Sequence, residues 1–233
     1  MQEFYQKELR MIHDNAGIEI GGMRFEECTF DNCSTSAKAD PEKISRVSNV
    51  IIKNGRVFNC IVGHCKFEDV EVNNLTVNSL LILWSPFFNR VKLTGNIGAI
   101  KINATANVPI CPDLQAKFNE KRTEFYKNVD WALDISNARF VTFQCEGVPV
   151  DLIRRDTSSQ VIVRKSKISS LEELGDNFKE EYPDVFFWME MFLESPHQEE
   201  VMVTPLRQRP AKRRNQIHQG LMELRKLGIA DAK

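Results

Sequence analysis

Residues 60–75, CIVGHCKFEDVEVNNL, set two thiols, Cys60 and Cys65, five positions apart with an imidazole, His64, beside the second. Thiolates and imidazoles are the ligands of structural zinc and the working groups of redox pairs. A structural zinc site needs two close-set ligand pairs that converge, and a reactive thiol needs an electropositive setting that lowers its pKa. Neither is in evidence. Cys28 and Cys33 repeat the same spacing, which points to successive repeat units, with each thiol serving as a small apolar filler. His64 then falls at a corner between two units. Phosphate-binding glycine loops, nucleophile elbows and HExxH helices do not occur in the chain. No catalytic residue, metal ligand or cofactor is expected.

The element that positions these residues is a repeat of five. From Val47 every fifth residue is apolar: Val47, Ile52, Val57, Val62, Phe67, Val72, Val77, Ile82 and Phe87. At ordinary apolar frequency, nine such hits arise by chance roughly 3 times in 10,000 per register. The residue two before each hit is small or aliphatic, and two after it stand Asn49, Asn54, Asn59, His64, Asp69 and Asn74. Asn and Asp form turns and tolerate left-handed backbone. Neither the helical period of 3.6 nor the strand period of 2 accounts for the pattern. A unit that points two residues inward and then turns fits a square-sectioned β-helix, four units to a twenty-residue coil, stable only when coils stack. Related pairs occur at Ile18/Ile20, Met23/Phe25 and Cys28/Phe30, and again at Leu133/Ile135, Ala138/Phe140, Phe143/Cys145 and Val148/Val150. Val91/Leu93 and Ile100/Ile102 suggest a degraded coil, and Val161/Val163 a last partial one.

The stretches FEECTFDNC, CIVGHCKFEDVEVNNLTV and LDISNARFVTF resemble the pentapeptide-repeat proteins over about half the chain, with Val often replacing the central Leu or Phe. The resemblance implies a right-handed quadrilateral β-helix and a binding or scaffold role without catalysis. The expected fold is therefore mainly β with α decorations: a right-handed parallel β-helix interrupted by a helical insertion and followed by C-terminal helices. Residues 1–17 would form an N-terminal cap, with Phe4, Leu9 and Ile12 facing the end of the solenoid. The β-helix would span 18–168, with insertions at about 36–43 and 111–131. The second insertion carries Leu114, Phe118 and Phe125 at helical spacing after a capping Asp113.

Composition changes beyond residue 168. An acidic helical segment, 169–195, would bury Phe186, Phe187, Met191 and Phe192 on one face. Residues 196–233 read as a linker followed by a basic helix with an Ile217, Leu221, Leu224 stripe. From 168 to 200 ten acids stand against Lys179 alone, whereas from 207 onward eight bases face two acids.

Net charge is −1 over 233 residues, which excludes a general polyanion binder. The span 45–110 has seven bases against three acids, so it cannot act as a DNA mimic, a role known in the resembled family. A polar N-terminus and apolar runs well under the ~20 residues of a membrane span point to a soluble, cytoplasmic protein with no membrane partner. Stacking coils exactly twenty residues apart would turn Ile61, Leu81, Leu83, Trp84 and Phe88 outward as an apolar wall. Such a wall is either covered within the chain or binds a protein partner or a second copy. Arg207, Arg209, Lys212, Arg213 and Arg214 either neutralise the acidic helices or bind nucleic acid or another anion. The expected function is a non-catalytic interaction or scaffold module. The alternatives are an adaptor for nucleic acid or an anionic ligand and, last, an enzyme with its site outside the solenoid core.

Overall fold

The computed structural model describes residues 1–106 and 111–231. The chain is mainly β, with a large parallel sheet and a few helices. Its strands are β1 (Gln2–Tyr5), β2 (Glu8–Arg10), β3 (Glu19–Glu26), β4 (Thr29–Asp31), β5 (Ser34–Thr35), β6 (Ser45–Phe58), β7 (Ile61–Val62), β8 (Cys65–Trp84) and β9 (Phe87–Asn103). Helix α1 (Pro112–Tyr126) follows, then β10 (Leu133–Cys145) and β11 (Ile153–Arg154). Eleven strands form the parallel sheet, ordered β1-β3-β6-β8-β9-β10-β11, with β2, β4, β5 and β7 joined beside that path.

The register follows the sequence period. Val47 pairs with Phe67, Val50 with Val70, Ile52 with Val72 and Val57 with Val77, each twenty residues on. Left-handed backbone recurs every fifth residue at Asn49, Asn54 and Asn59, and again at Asp69 and Asn74. These are the short polar residues that adopt it at least cost. In these long strands the left-handed residues interrupt the extended backbone at regular intervals.

One added residue resets the phase. Val57–Val77 is offset by twenty, but Val62 pairs with Leu83, Phe67 with Phe88 and Val70 with Val91, all offset by twenty-one. The left-handed positions shift accordingly, to Ser85, Arg90 and Gly95. Because side chains alternate along a strand, a slip of one residue exchanges the faces. Leu81 and Phe88 therefore lie in the main core, and Leu83 packs against it, contrary to the outward wall expected from exact twenty-residue stacking. Leu80, expected inward, is 42% exposed against 9% for Leu81. Phe87 leaves the main core for a separate cluster beneath α1, with Phe118 and Ala106. Ile61 remains exposed and Trp84 partly exposed.

His64 is not a left-handed corner. It is 1% exposed and stacks on Phe118 of α1, ring centroids 4.7 Å apart. Helix α1 is fixed further by Tyr126, whose hydroxyl accepts the Phe88 N–H at 3.3 Å. Its Leu114 and Phe125 pack on the Phe87 cluster, as their spacing suggests. Pro112 stands at the helix start, and Asp113 lies in the first turn rather than capping it.

At the other end of the sheet, the N-terminal residues form no separate cap. Strands β1 and β2 pair in parallel with β3 and β4, Phe4 stacks on Phe25 at 5.0 Å, and Ile12 is exposed.

The C-terminal part departs from the expected boundaries. Strand β12 (Gln160–Arg164) is not a further coil of the parallel sheet, because it pairs antiparallel with β13 (Glu199–Val203). The expected linker thus contributes buried Val201, Met202 and Val203. Between these strands lie a capped single turn (Leu171–Leu174, with a Ser170/Glu173 capping box), α2 (Phe178–Glu181) and α3 (Pro183–Glu194), and α4 (Ala211–Lys226) follows β13. On α3 the buried stripe is Val185, Met189 and Phe192, packed with Ile217, Leu221 and Leu224 of α4. Phe187 and Met191 fall on the opposite side of the helical wheel and are 55% and 52% exposed.

Candidate functional site: a cleft between α3 and the outer face of the sheet

The outer face of the parallel sheet carries one row from N-terminal to C-terminal strands. Ser34 pairs with Ile61, the Val62–Leu83 pair sets Ile61 beside Ile82, Ile82 pairs with Lys101, and Lys101 with Gln144. Trp84 and Asn103 form the adjacent pair. The row runs from exposed Ile61 and half-buried Ile82 into a cleft of about 220 Å³, walled by Lys101, Thr142 and Gln144 on the sheet side and by Phe187, Trp188 and Met191 of α3 opposite. Glu146, His197 and Glu200 complete it.

The ionisable groups there are arranged unequally. Glu146 receives Lys101 Nζ at 3.2 Å, lies 3.7 Å from His197 Nε2, and accepts the Ala104 N–H at 3.4 Å. Burial alone would raise its pKa, but these donors outweigh burial and hold the carboxyl at about 2. Among the described residues Glu200 has no comparable donor. Burial, and next the negative charge of Glu146, push its pKa up to about 7, with His197 and Lys101 offsetting only part of the rise. The two carboxylates are thus unlike: Glu146 is ionised and paired at neutral pH, whereas Glu200 holds its proton to much higher pH than an ordinary carboxylate.

A second cavity, about 350 Å³, shares His197 with the first and is lined by Arg122, Thr123, Tyr126 and Gly147. Arg122 is buried and donates to Ser85 Oγ and the Ala104 carbonyl, both at 2.6 Å. Gly147 has φ +76°, which favours glycine, and an added Cβ would crowd Ala104 Cβ at 3.0 Å and Arg122 Nη1 at 3.1 Å.

The residues proposed for anion binding are not gathered into one site. Arg213 pairs with Asp184 of α3, its Nε 2.8 Å from the carboxylate. Arg207 turns to the sheet and donates to the Ile97 carbonyl at 3.3 Å, and Arg214 donates to the Leu206 carbonyl at 3.3 Å. Arg209 precedes Pro210 at the start of α4, and Lys212 lies on the first turn of that helix, beside a shallow depression that includes Glu181. The acidic helices thus take up part of the basic charge.

Among the cysteines, Cys28, Cys65 and Cys145 are buried, and burial raises the Cys65 and Cys145 thiols far above the range of a reactive thiolate. Cys33 meets Cys60, not its sequence neighbours, its N–H reaching Cys60 Sγ at 3.4 Å. Among the described residues no three or more His, Cys, Asp or Glu side chains are grouped to hold a metal. No helix among them is long and apolar enough to cross a membrane.

Lys101, Glu146, His197 and Glu200 were not singled out by sequence reasoning. Three of them lie in segments far apart in the chain, and the fourth, Glu200, belongs to a strand taken for a linker. The one available signal was EEVMV, an apolar stretch with two β-branched residues. Comparison with protein-family models, curated proteins and solved structures gives no match.

Proposed function

We propose that this chain is a non-catalytic protein-interaction module: a right-handed β-helix of five-residue units, of the kind the pentapeptide-repeat resemblance implies, that binds a protein partner along its outer face. The coiled reading is supported by parallel pairing at offsets near twenty and by left-handed residues every five positions. Such a solenoid holds side chains in straight rows, which suits the recognition of an extended surface. One observation carries the functional reading. The outer row Ile61, Ile82, Lys101, Gln144 leads from exposed Ile61 and half-buried Ile82 to exposed Phe187 and Met191 at the cleft. Aromatic and methionine side chains next to a few polar groups are the composition of interface centres. The partner wall thus involves Ile61 and Trp84 of the residues first considered, together with Ile82 and the α3 side chains, and not Leu81, Leu83 or Phe88.

The test is affinity capture from source cells by the folded chain and by an Ile82→Asp/Phe187→Asp variant with matching circular dichroism and thermal midpoint. A protein, or a second copy of the chain, held by the first and lost by the second is expected. Identical captured sets would overturn the reading.

The cleft favours one second reading, an enzyme. Glu146 and Glu200 are held at acidities of about 2 and about 7, the separation that distinguishes a base from an acid. Turnover of activated glycosides or esters that is lost in Glu200→Gln would favour it over simple binding.

A further inference from the structure

Glu200 is a carboxylate in a cleft, partly buried, with no hydrogen-bonding donor of its own among the described residues. Its neighbour Glu146 already engages Lys101, the Ala104 N–H and His197. A partly desolvated carboxylate left in this state is costly, and a cation that reached it would be bound strongly. The walls add a second requirement. Phe187, Trp188 and Met191 present aromatic and thioether surface that an all-polar ion would not use, and aromatic faces attract cations. The volume, about 220 Å³, lies below the usual range of roughly 300–1,000 Å³ for drug-sized ligands. It suits a single long side chain entering from the outer face. The flanking segment from 168 to 200 has ten acids against one lysine, a field that draws in positive charge.

We propose that the cleft receives a lysine side chain of the partner protein, with its ammonium on Glu200 and its methylenes against Phe187 and Met191. This rests on the interaction-module reading and names the partner chemistry for the same surface. Lysine fits better than arginine because the volume is small and a compact ammonium needs less access than a planar guanidinium fork. The apolar stem covers the aromatic wall while the charge reaches the floor.

The experiment titrates the full chain, labelled with ¹⁵N, with N-acetyl-lysine-N-methylamide, its neutral isostere N-acetyl-norleucine-N-methylamide, and n-butylamine. Amide shifts at Ser195, His197 and Glu200 are expected with the lysine probe and not with norleucine. Affinity should fall at least tenfold in Glu200→Gln and rise severalfold between pH 6 and pH 8 as Glu200 ionises. Tighter binding of the lysine probe than of n-butylamine supports a protein side chain; a preference for the free amine overturns that source. Equal binding of norleucine, no shifts at the cleft, or unchanged affinity in Glu200→Gln overturns the proposal. If the lysine probe fails while the Ile82→Asp/Phe187→Asp variant still loses its partner, the interaction reading stands and only the lysine assignment falls.

Discussion

Arg122 and Glu146 hold the backbone of the same residue, Ala104. Arg122 Nη2 donates to the Ala104 carbonyl at 2.6 Å, and Glu146 accepts the Ala104 N–H at 3.4 Å. Through Ala104 helix α1 is joined to the segment that follows β9 and to the residue that follows β10. Arg122→Met leaves the buried Ser85 hydroxyl without its donor and removes one of the two donors to the Ala104 carbonyl, which keeps Gln115 Nε2 at 3.2 Å. A loss of about 1–3 kcal/mol is expected, measured by urea unfolding. Faster amide exchange at Phe88, whose N–H is held by Tyr126, would accompany it.

The change of phase after Val77 makes neighbouring leucines unequal. Leu81→Ala should cost about 2–5 kcal/mol as a large-to-small core change, whereas Leu80→Ala on the exposed face should stay within about 0.5 kcal/mol. Equal costs, read from chemical denaturation, would mean that the twenty-residue pairing register continues.

His64 predicts an acid limb in stability. Burial lowers its pKa below the ordinary 6.5; the Ser36 carbonyl opposes this in part, and the charge of Arg122 adds a smaller lowering. The unfolded chain binds a proton near 6.5 and the folded chain does so only at lower pH. Its contribution is therefore complete above 6.5 and is lost as pH falls from there toward the folded value. In His64→Phe the urea midpoint should fall less between pH 7.5 and pH 5.5 than in the parent chain.

Glu200 has the opposite sign. Its pKa rises from 4.5 to about 7 on folding, so stability is greatest below 4.5 and declines as pH rises through 7. Glu200→Gln mimics the protonated form. It should be more stable than the parent at pH 8, by no more than roughly 3 kcal/mol, with the gain closing by pH 4.5. A constant difference across this range would contradict the burial of the carboxyl. The comparison needs thermal or urea midpoints at three pH values.

Much of the fold was legible in the five-residue period, because each unit states its own conformation: an alternating pair sets the inward face, and Asn49, Asn54, Asn59, Asp69 and Asn74 occupy the left-handed turns. The twenty-residue register of β6 on β8 follows from that alone. Helices α1 and α4 were equally local, marked by the apolar spacing of Leu114, Phe118 and Phe125 and of Ile217, Leu221 and Leu224.

The faces beyond Val77 were not legible, since one added residue leaves the composition unchanged but reverses which leucine is buried. The fate of Gln160–Arg164 depended on whether β11 or the distant Glu199–Val203 supplied its hydrogen bonds, a choice between partners that no short window contains. The same applies to the cleft. Lys101, Glu146 and Glu200 are ordinary surface charges in the sequence, and only the packing of α3 and β13 against β10 brings them together. Local backbone preferences and side-chain periodicity thus determined the repeating unit and its helices. The tertiary structure decided which side chains are desolvated together, because burial and electrostatic coupling depend on distance in space and not on separation along the chain.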